Sequence, residues 1–190
     1  MALPETITFV TGNAGKVAEM EAHLAPLGIK VIQDDRGYPE IQADTLQEVA
    51  KAGADALVAG GLEPPFLLED AGLFVHALRG FPGVYSAYAQ KTIGNQGILH
   101  LMQDVEPELR QAHFEACLTY VGPRGGKQFT GAVHGHIHDR VEGTNGFGYD
   151  PIFVPKGKQA TFAQMSTEEK TKISHRGQAI SQFLAWLSNQ

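Results

Sequence analysis

The order of elements at the start of the chain constrains the fold most. The apolar, β-rich run Ile7–Val10 reads as a short buried strand. After the turn Thr11–Lys16, apolar side chains recur at helical spacing at Val17, Met20, Leu24 and Leu27. Gly28 is a typical helix end, and Ile29–Ile32 predicts a second strand. Because parallel strands need a crossover of this kind, the pattern favours a parallel pair and an α/β class.

The next stretches continue the alternation of strands and helices. Residues 45–59 form an amphipathic pattern that predicts a second helix. Phe66–Leu68 reads as a strand that ends in Glu69-Asp70, and residues 94–103 read as a short helix.

The second half of the chain adds an antiparallel portion. Residues 112–122 and 128–138 are β-prone and flank a Gly-Pro-Arg-Gly-Gly-Lys turn, which predicts a hairpin. Ser166–Glu169 matches a capping box, and Ser174 can cap a last helix. We therefore predict one α/β domain over residues 1–190, with a mixed sheet.

Composition bounds the function. With 190 residues the chain is long enough for one substantial core, and its net charge of −6 argues against non-specific nucleic-acid binding. No apolar run reaches the roughly 18 residues that a membrane span needs. The N-terminus lacks the basic region of a secretory signal, so the expected location is cytoplasmic. We expect neither nucleic acid nor membrane as a partner.

The turn Thr11-Gly-Asn-Ala-Gly-Lys16 resembles a phosphate-binding loop but is not a Walker motif. The first glycine of that motif would fall at Val10, and Val17 lacks the hydroxyl that would contact Mg²⁺. A helix N-terminus with a lysine can still bind an anion. A purely structural strand-to-helix turn is the alternative, and the turn by itself favours that reading.

Acidic residues occupy two other places. Glu69 and Asp70 follow an apolar strand and precede Gly72, a position suited to a site at a sheet edge. Since neighbouring strand residues point to opposite faces, the two acids are expected to have different roles. A solvated acidic turn remains the alternative. By local sequence alone, Glu40 reads as an exposed loop acid.

Two further stretches suit a ligand. Gly143–Phe153 interleaves glycines with aromatic residues and Asp150, a composition that allows close backbone approach and stacking on a ring. Lys170 and the stretch Ser174-His-Arg-Gly177 place positive charge near a helix N-terminus, where the dipole favours anions. Core-filling aromatics and a solvated basic turn are the respective alternatives.

Taken in order, five motifs resemble one family. TGNAGK, LLEDAGL, GFPGVYSAY, NGFGYDPIF and EEKTKISHRGQA follow one another as in the inosine triphosphate pyrophosphatase family, over residues 7 to 187. The stretches YPEIQADTL and GFPGVYSAY are most similar to the archaeal-type members. The resemblance implies a single elongated mixed α/β domain with two lobes around a central cleft, and a homodimer. It implies Mg²⁺-dependent cleavage of ITP, dITP or XTP to the monophosphate and pyrophosphate.

The resemblance also assigns residues. Asp70 is the implied general base, and Glu40 and Asp70 are the implied metal ligands. The implied substrate-binding residues are Thr11, Gly12, Asn13, Ala14, Gly15, Lys16, Ala71, Phe147, Gly148, Tyr149, Asp150, Lys170, His175 and Arg176.

Two positions depart from the family pattern. Many members carry Ser or Thr where this chain has Ala71, so a side-chain hydroxyl contact is lost. Bacterial-type members carry a lysine in the second helix, where this chain has Gly53, and Lys51 is out of register. Two alternatives stay open: a pyrophosphatase of modified pyrimidine nucleotides, and a non-catalytic nucleotide-binding protein.

Overall fold

The computed structural model describes residues 3–189, which form six strands in one mixed sheet. The strands are β1 (Thr6–Val10), β2 (Lys30–Asp34), β3 (Phe66–Val75), β4 (Gln111–Gly122), β5 (Gly125–Ile137) and β6 (Phe153–Pro155). Their order in the sheet is β2-β1-β3-β4-β5-β6. β1 pairs in parallel with both β2 and β3, whereas β5 and β6 are antiparallel. The predicted α/β class and mixed sheet are confirmed.

The helices are α1 (Ala14–Leu24), α2 (Leu46–Ala59), α3 (Ser86–Thr92), α4 (Gly94–Leu101), α5 (Thr167–Ile173) and α6 (His175–Leu187). Local sequence signals set several of their ends. Thr45 with Glu48 and Ser166 with Glu169 form capping boxes at the starts of α2 and α5. The hydroxyl of Ser174 accepts a hydrogen bond from the Gly177 N–H at 3.0 Å, as expected for the cap of α6. Among residues 3–189, no helix is both long and apolar enough to cross a membrane.

Strand β3 differs from the prediction. Glu69 and Asp70 were expected at the end of a strand, but β3 continues through them to Val75. Gly72, predicted to lie beyond the end of the strand, lies inside it. A β-carbon at this position would collide with the carbonyl oxygen of Gly83. The glycine therefore permits a close approach of two backbone segments instead of ending the strand.

The chain divides into two compact units, each with its own core. The first contains the chain up to Asp70, Ala116–Thr130 and the part from Gln178 onward. Its core includes Phe9, Met20 and Phe183. The second unit contains Ala71–Glu115 and Gly131–Gly177. Its core includes Leu73, Ile98, Phe153 and Phe162.

Candidate active site

In the first unit, the Thr11–Lys16 turn is a capped strand-to-helix connection. The Asn13 side-chain oxygen accepts hydrogen bonds from the N–H groups of Gly15 (2.9 Å) and Lys16 (3.3 Å), and so caps α1. The Thr11 hydroxyl accepts one from the Asn13 N–H at 3.1 Å. Two of the N–H groups expected to hold phosphate are thus hydrogen-bonded to the Asn13 side chain.

Lys16 connects this turn to β3. Its ammonium donates to the Glu69 carbonyl oxygen at 2.9 Å and lies 3.5 Å from a Glu69 carboxylate oxygen. Glu69 is 3% exposed, so this ion pair is shielded from water. The geometry places a lysine charge beside the strand that carries Asp70.

The Asp70 side chain is buried and lies near the acidic residues Glu40 and Glu69. The Tyr38 hydroxyl donates to an Asp70 carboxylate oxygen at 3.2 Å. The pKa of Asp70 is raised to about 6, chiefly by burial and to a smaller extent by the charges of Glu40 and Glu69, while Lys16 and the Tyr38 hydrogen bond oppose the rise. Burial also raises the pKa of Tyr38, which therefore remains a hydrogen-bond donor at neutral pH. A carboxyl group with a pKa near neutrality suits general-base chemistry.

Tyr38 owes its place to Gly53. A β-carbon added at Gly53 would lie 2.5 Å from the Tyr38 ring, so only glycine at this position of α2 leaves room for the ring as it stands. Gly53, at the position where bacterial-type members were expected to carry a lysine, therefore has a structural role in this chain. The space is taken by a tyrosine whose hydroxyl reaches Asp70.

In the second unit, a tight loop presents Phe147. The Phe147 N–H donates to an Asp150 carboxylate oxygen at 2.8 Å, and the same oxygen accepts from the Lys170 ammonium at 2.7 Å. Asp150 is 3% exposed; its burial raises its pKa, and the positive charges of Lys170 and Arg176 oppose that rise. A side chain at Gly146 would collide with Asp150, and Gly146 also adopts φ +73°. Both features explain the glycine in this loop.

Positive charges surround the Phe147 ring. The Lys170 ammonium lies 4.7 Å and the Arg176 guanidinium 5.3 Å from the ring centroid, within cation–π range. His175 stacks on Phe114 with ring centroids 4.8 Å apart. Lys170, His175 and Arg176 are all buried. The structure therefore groups Lys170 and Arg176 with Phe147 and Asp150, whereas His175 packs on Phe114.

The remaining predicted residues have simpler surroundings. Gly12 would have open space around an added β-carbon, and Ala14 is the first residue of α1. Ala71 is half-buried in β3. Gly148 adopts φ +62°, and the buried Tyr149 hydroxyl donates to the Ser86 carbonyl oxygen at 3.0 Å.

Sequence reasoning missed two residues near Asp70. Tyr38 carried no local signal, because the segment around it reads as an exposed loop. Glu69 was noticed but given no role, since the period of a strand does not tell which of two neighbouring acids faces a site. Both are identified by their contacts with Asp70 and Lys16.

The acidic residues Glu40 and Asp70 suit a metal ion that takes its other ligands from substrate phosphates and water. Among residues 3–189, no group of three or more histidine, cysteine, aspartate or glutamate side chains is arranged to hold a metal ion. The negative charges of Glu40 and Glu69 raise the pKa of Asp70, a repulsion that a cation would relieve. Mg²⁺ commonly uses one or two carboxylates together with substrate phosphates and water. The pair Glu40 and Asp70 is compatible with that mode of binding.

Comparisons with known proteins find relatives that match almost the whole chain. The Ham1 family model matches residues 7–186. A dITP/XTP pyrophosphatase of Thermococcus kodakarensis is 53% identical over 95% of this chain and 96% of its own length. One of Methanopyrus kandleri is 48% identical over 96% of each chain.

Solved structures show the same fold. The Ham1 protein of Staphylococcus aureus, 34% identical, superposes with a TM-score of 0.81 over 97% of this chain and 98% of its own. A HAM1 protein from Coxiella burnetii, 30% identical, gives 0.83 over 98% of this chain and all of its own. The family model, the relatives and the solved structures each match almost the whole length of this chain. The chain belongs to the Ham1 family.

Proposed function

We propose that this protein hydrolyses non-standard purine nucleoside triphosphates, namely ITP, dITP and XTP, to the monophosphate and pyrophosphate. It would thereby remove them from the nucleotide pool. One observation carries the proposal: similarity to dITP/XTP pyrophosphatases extends over 95% of this chain at 53% identity. The charged groups around Asp70 supply the chemistry that such a reaction needs.

In the proposed reaction a water molecule attacks the α-phosphorus. A new bond forms from the water oxygen to phosphorus, the bond to the oxygen that bridges to the β-phosphorus breaks, and pyrophosphate leaves with that oxygen. Asp70 takes the water proton, which its raised pKa favours. Asn13 and Lys16 bind the triphosphate, and Lys16 offsets negative charge on the leaving group.

We propose Mg²⁺ as the cofactor, held by Glu40 and Asp70 with phosphate oxygens. When bound, it would neutralise charge on the phosphates. Lys16 lies beside Glu69, so protein cations already balance part of the acidic cluster. Val17 has no hydroxyl, and the metal must therefore depend on the acids rather than on the N-terminal turn.

The group around Phe147 is proposed to bind the purine. Phe147 stacks on the base, and Arg176 or a backbone N–H near His175 donates a hydrogen bond to the 6-keto oxygen of hypoxanthine and xanthine. Lys170 completes the pocket and offsets charge on the leaving pyrophosphate. Adenine presents an amino group at the 6-position and would leave such a donor unpaired. An unpaired buried donor costs about 1–3 kcal/mol, which is enough for tens- to hundreds-fold discrimination.

Product identification tests the reaction. The protein is incubated with ITP and Mg²⁺, with ATP as the control substrate, and the products are separated by chromatography. IMP and pyrophosphate are expected, and ATP should be cleaved far more slowly. IDP and orthophosphate would contradict cleavage between the α and β phosphates. Faster turnover of modified pyrimidine nucleotides, or ITP binding without turnover, would support the two alternatives.

We also infer a homodimer and a cytoplasmic location. The segment from Phe81 to Tyr88 exposes three aromatic side chains: Phe81 (40%), Tyr85 (44%) and Tyr88 (72%). Exposed aromatic groups of this kind are typical of interfaces. The proposed substrates belong to the nucleotide pool, which supports the cytoplasm as the place of action.

A further inference from the structure

Two side chains from different helices hold one carbonyl of the loop that carries Phe147. The side-chain amides of Gln90 in α3 and Asn95 in α4 both donate to the Gly148 carbonyl oxygen, at 3.3 and 3.1 Å. Gly94, the first residue of α4, adopts φ +60°, a conformation that favours glycine. This sharp corner allows both amides to reach the same oxygen, whose two lone pairs they fill.

The orientation of the two amides has a cost. The Gly148 carbonyl can only accept, so each side chain must turn its NH₂ group toward it. The oxygens of Gln90 and Asn95 are then buried, and within residues 3–189 they have no hydrogen-bond partner. Buried acceptors without partners are uncommon and lower stability. Within the described residues, two buried oxygens thus lack hydrogen bonds so that both NH₂ groups can bind the Gly148 carbonyl oxygen.

The start of α3, the helix that carries Gln90, is held in place by buried hydrogen bonds. The Ser86 hydroxyl, at the start of α3, accepts from the Leu73 N–H at 2.8 Å and donates to the Gly83 carbonyl at 2.7 Å, and both bonds are buried. The Ser86 carbonyl in turn accepts from the Tyr149 hydroxyl. Within the loop, Tyr149 is thereby tied to α3, and Asp150 is tied to Lys170 in α5.

We propose that Gln90 and Asn95 are positioning residues for the purine: by holding the Gly148 carbonyl together, they fix the adjacent Phe147 ring on which the base stacks. This inference rests on the proposed function. Neither side chain is assigned a contact with phosphate or with the attacking water. Their loss should therefore weaken nucleotide binding more than it slows the chemical step.

The shared acceptor makes a specific prediction for a double-mutant cycle. Each single variant, Gln90→Ala or Asn95→Ala, keeps one bond to Gly148 and should raise the KM for ITP about two- to threefold. The double variant loses both bonds and should raise KM by more than the product of the single effects, on the order of tenfold or more, with a smaller change in kcat. Inhibition by tripolyphosphate, which has no base, should stay unchanged.

Hydrogen exchange gives a readout that does not depend on turnover. Amide exchange over residues 147–150 should be faster in the double variant than in the wild type. Gln182→Ala is the matched control, since the Gln182 amide also donates to a backbone carbonyl, that of Thr130, at 2.7 Å on an exposed surface. It should change neither the KM nor exchange in this loop.

The outcomes separate the two proposals. If the wild type hydrolyses ITP while the double variant keeps the wild-type KM and the wild-type exchange rates, the positioning role is overturned. An equal loss of tripolyphosphate inhibition would also overturn it, because the effect would not be specific to the base. If the wild type fails to hydrolyse ITP, the proposed function fails, and the exchange experiment still decides whether the two amides hold the loop.

Discussion

At the scale of single residues, Asp70 illustrates a conflict between stability and activity. Burial raises its pKa from 3.8 to about 6, so the folded state holds a proton more tightly than the unfolded state. The charged carboxylate is thus a destabilising group above pH 6, and this cost disappears below the unfolded value. A protein that needs only a stable fold would not keep a buried acid here.

Asp70→Asn should therefore abolish turnover and stabilise the metal-free protein. A pKa raised from 3.8 to about 6 corresponds to about 3 kcal/mol at neutral pH. Asparagine keeps an oxygen that can accept from Tyr38. Thermal unfolding in EDTA should show a higher midpoint for the variant at pH 7.5 and a shrinking difference as the pH falls toward 4. The exposed Asp55→Asn is the control, and an equal gain there would refute a specific effect of Asp70.

Tyr38 and Gly53 should behave as one unit. Gly53→Ala would push the Tyr38 ring aside, and Tyr38→Phe removes the hydroxyl that donates to Asp70. Each should lower kcat/KM by about tenfold, as expected for one hydrogen bond to a charged group. Because both changes remove the same bond, the double variant should be no worse than either single one. Independent, multiplying effects in steady-state kinetics would show that Gly53 acts in another way.

At the scale of elements, helix α5 provides a matched pair of lysines. Lys170 and Lys172 each form an ion pair at 2.7 Å, with Asp150 and Glu168 respectively. The first pair is buried, with side chains 6% and 4% exposed, whereas the second is 68% and 81% exposed. Removal of a buried partner strands a charge, while an exposed pair contributes little.

Lys170→Met should destabilise the protein by about 3–5 kcal/mol, because it leaves Asp150 buried beside fewer positive charges. Lys172→Met should leave the denaturation midpoint unchanged within error. Chemical denaturation of both variants measures the difference directly. Equal effects at the two positions would mean that burial does not govern the Asp150 pair. The additional loss of ITP binding expected for Lys170→Met alone would support its site role.

Elements set by local signals could be predicted from the sequence. The capping box at Ser166 predicted the start of α5, because its hydrogen bonds join residues only three positions apart. The candidate site residues were predicted from the five ordered motifs that resemble one family. The structure brings Lys16 to Glu69, next to Asp70, and Lys170 and Arg176 to Phe147, while the roles of these residues stay predictions.

Elements shaped by distant contacts could not be predicted. The strand was predicted to end at Glu69-Asp70, yet β3 continues to Val75, and Gly72 within it allows the close approach of Gly83, eleven positions along the chain. The two hydrogen bonds to the Gly148 carbonyl oxygen could not be predicted from the sequence for the same reason. Gln90 and Asn95 lie more than fifty residues away from it and carry no local pattern.

At the scale of the whole molecule, the exposed aromatic segment bears on assembly. Tyr88 is 72% exposed although tyrosine side chains usually find partial cover in folded proteins. A second copy of the chain would bury these rings, and aromatic residues contribute strongly to the centres of interfaces. The homodimer proposal therefore makes a prediction about mass and about this segment.

Size-exclusion chromatography with light scattering should give the wild type twice the chain mass of 20.5 kDa at micromolar concentration. Tyr88→Glu should shift the mass toward the monomer, since burying an unpaired charge in an interface costs several kcal/mol. Val58→Glu, at a residue 52% exposed on α2, is the matched control and should leave the mass unchanged. A monomeric wild type would contradict the dimer. A dimer that tolerates Tyr88→Glu but dissociates with Val58→Glu would place the interface on α2, because only a residue buried by the partner can respond in this way.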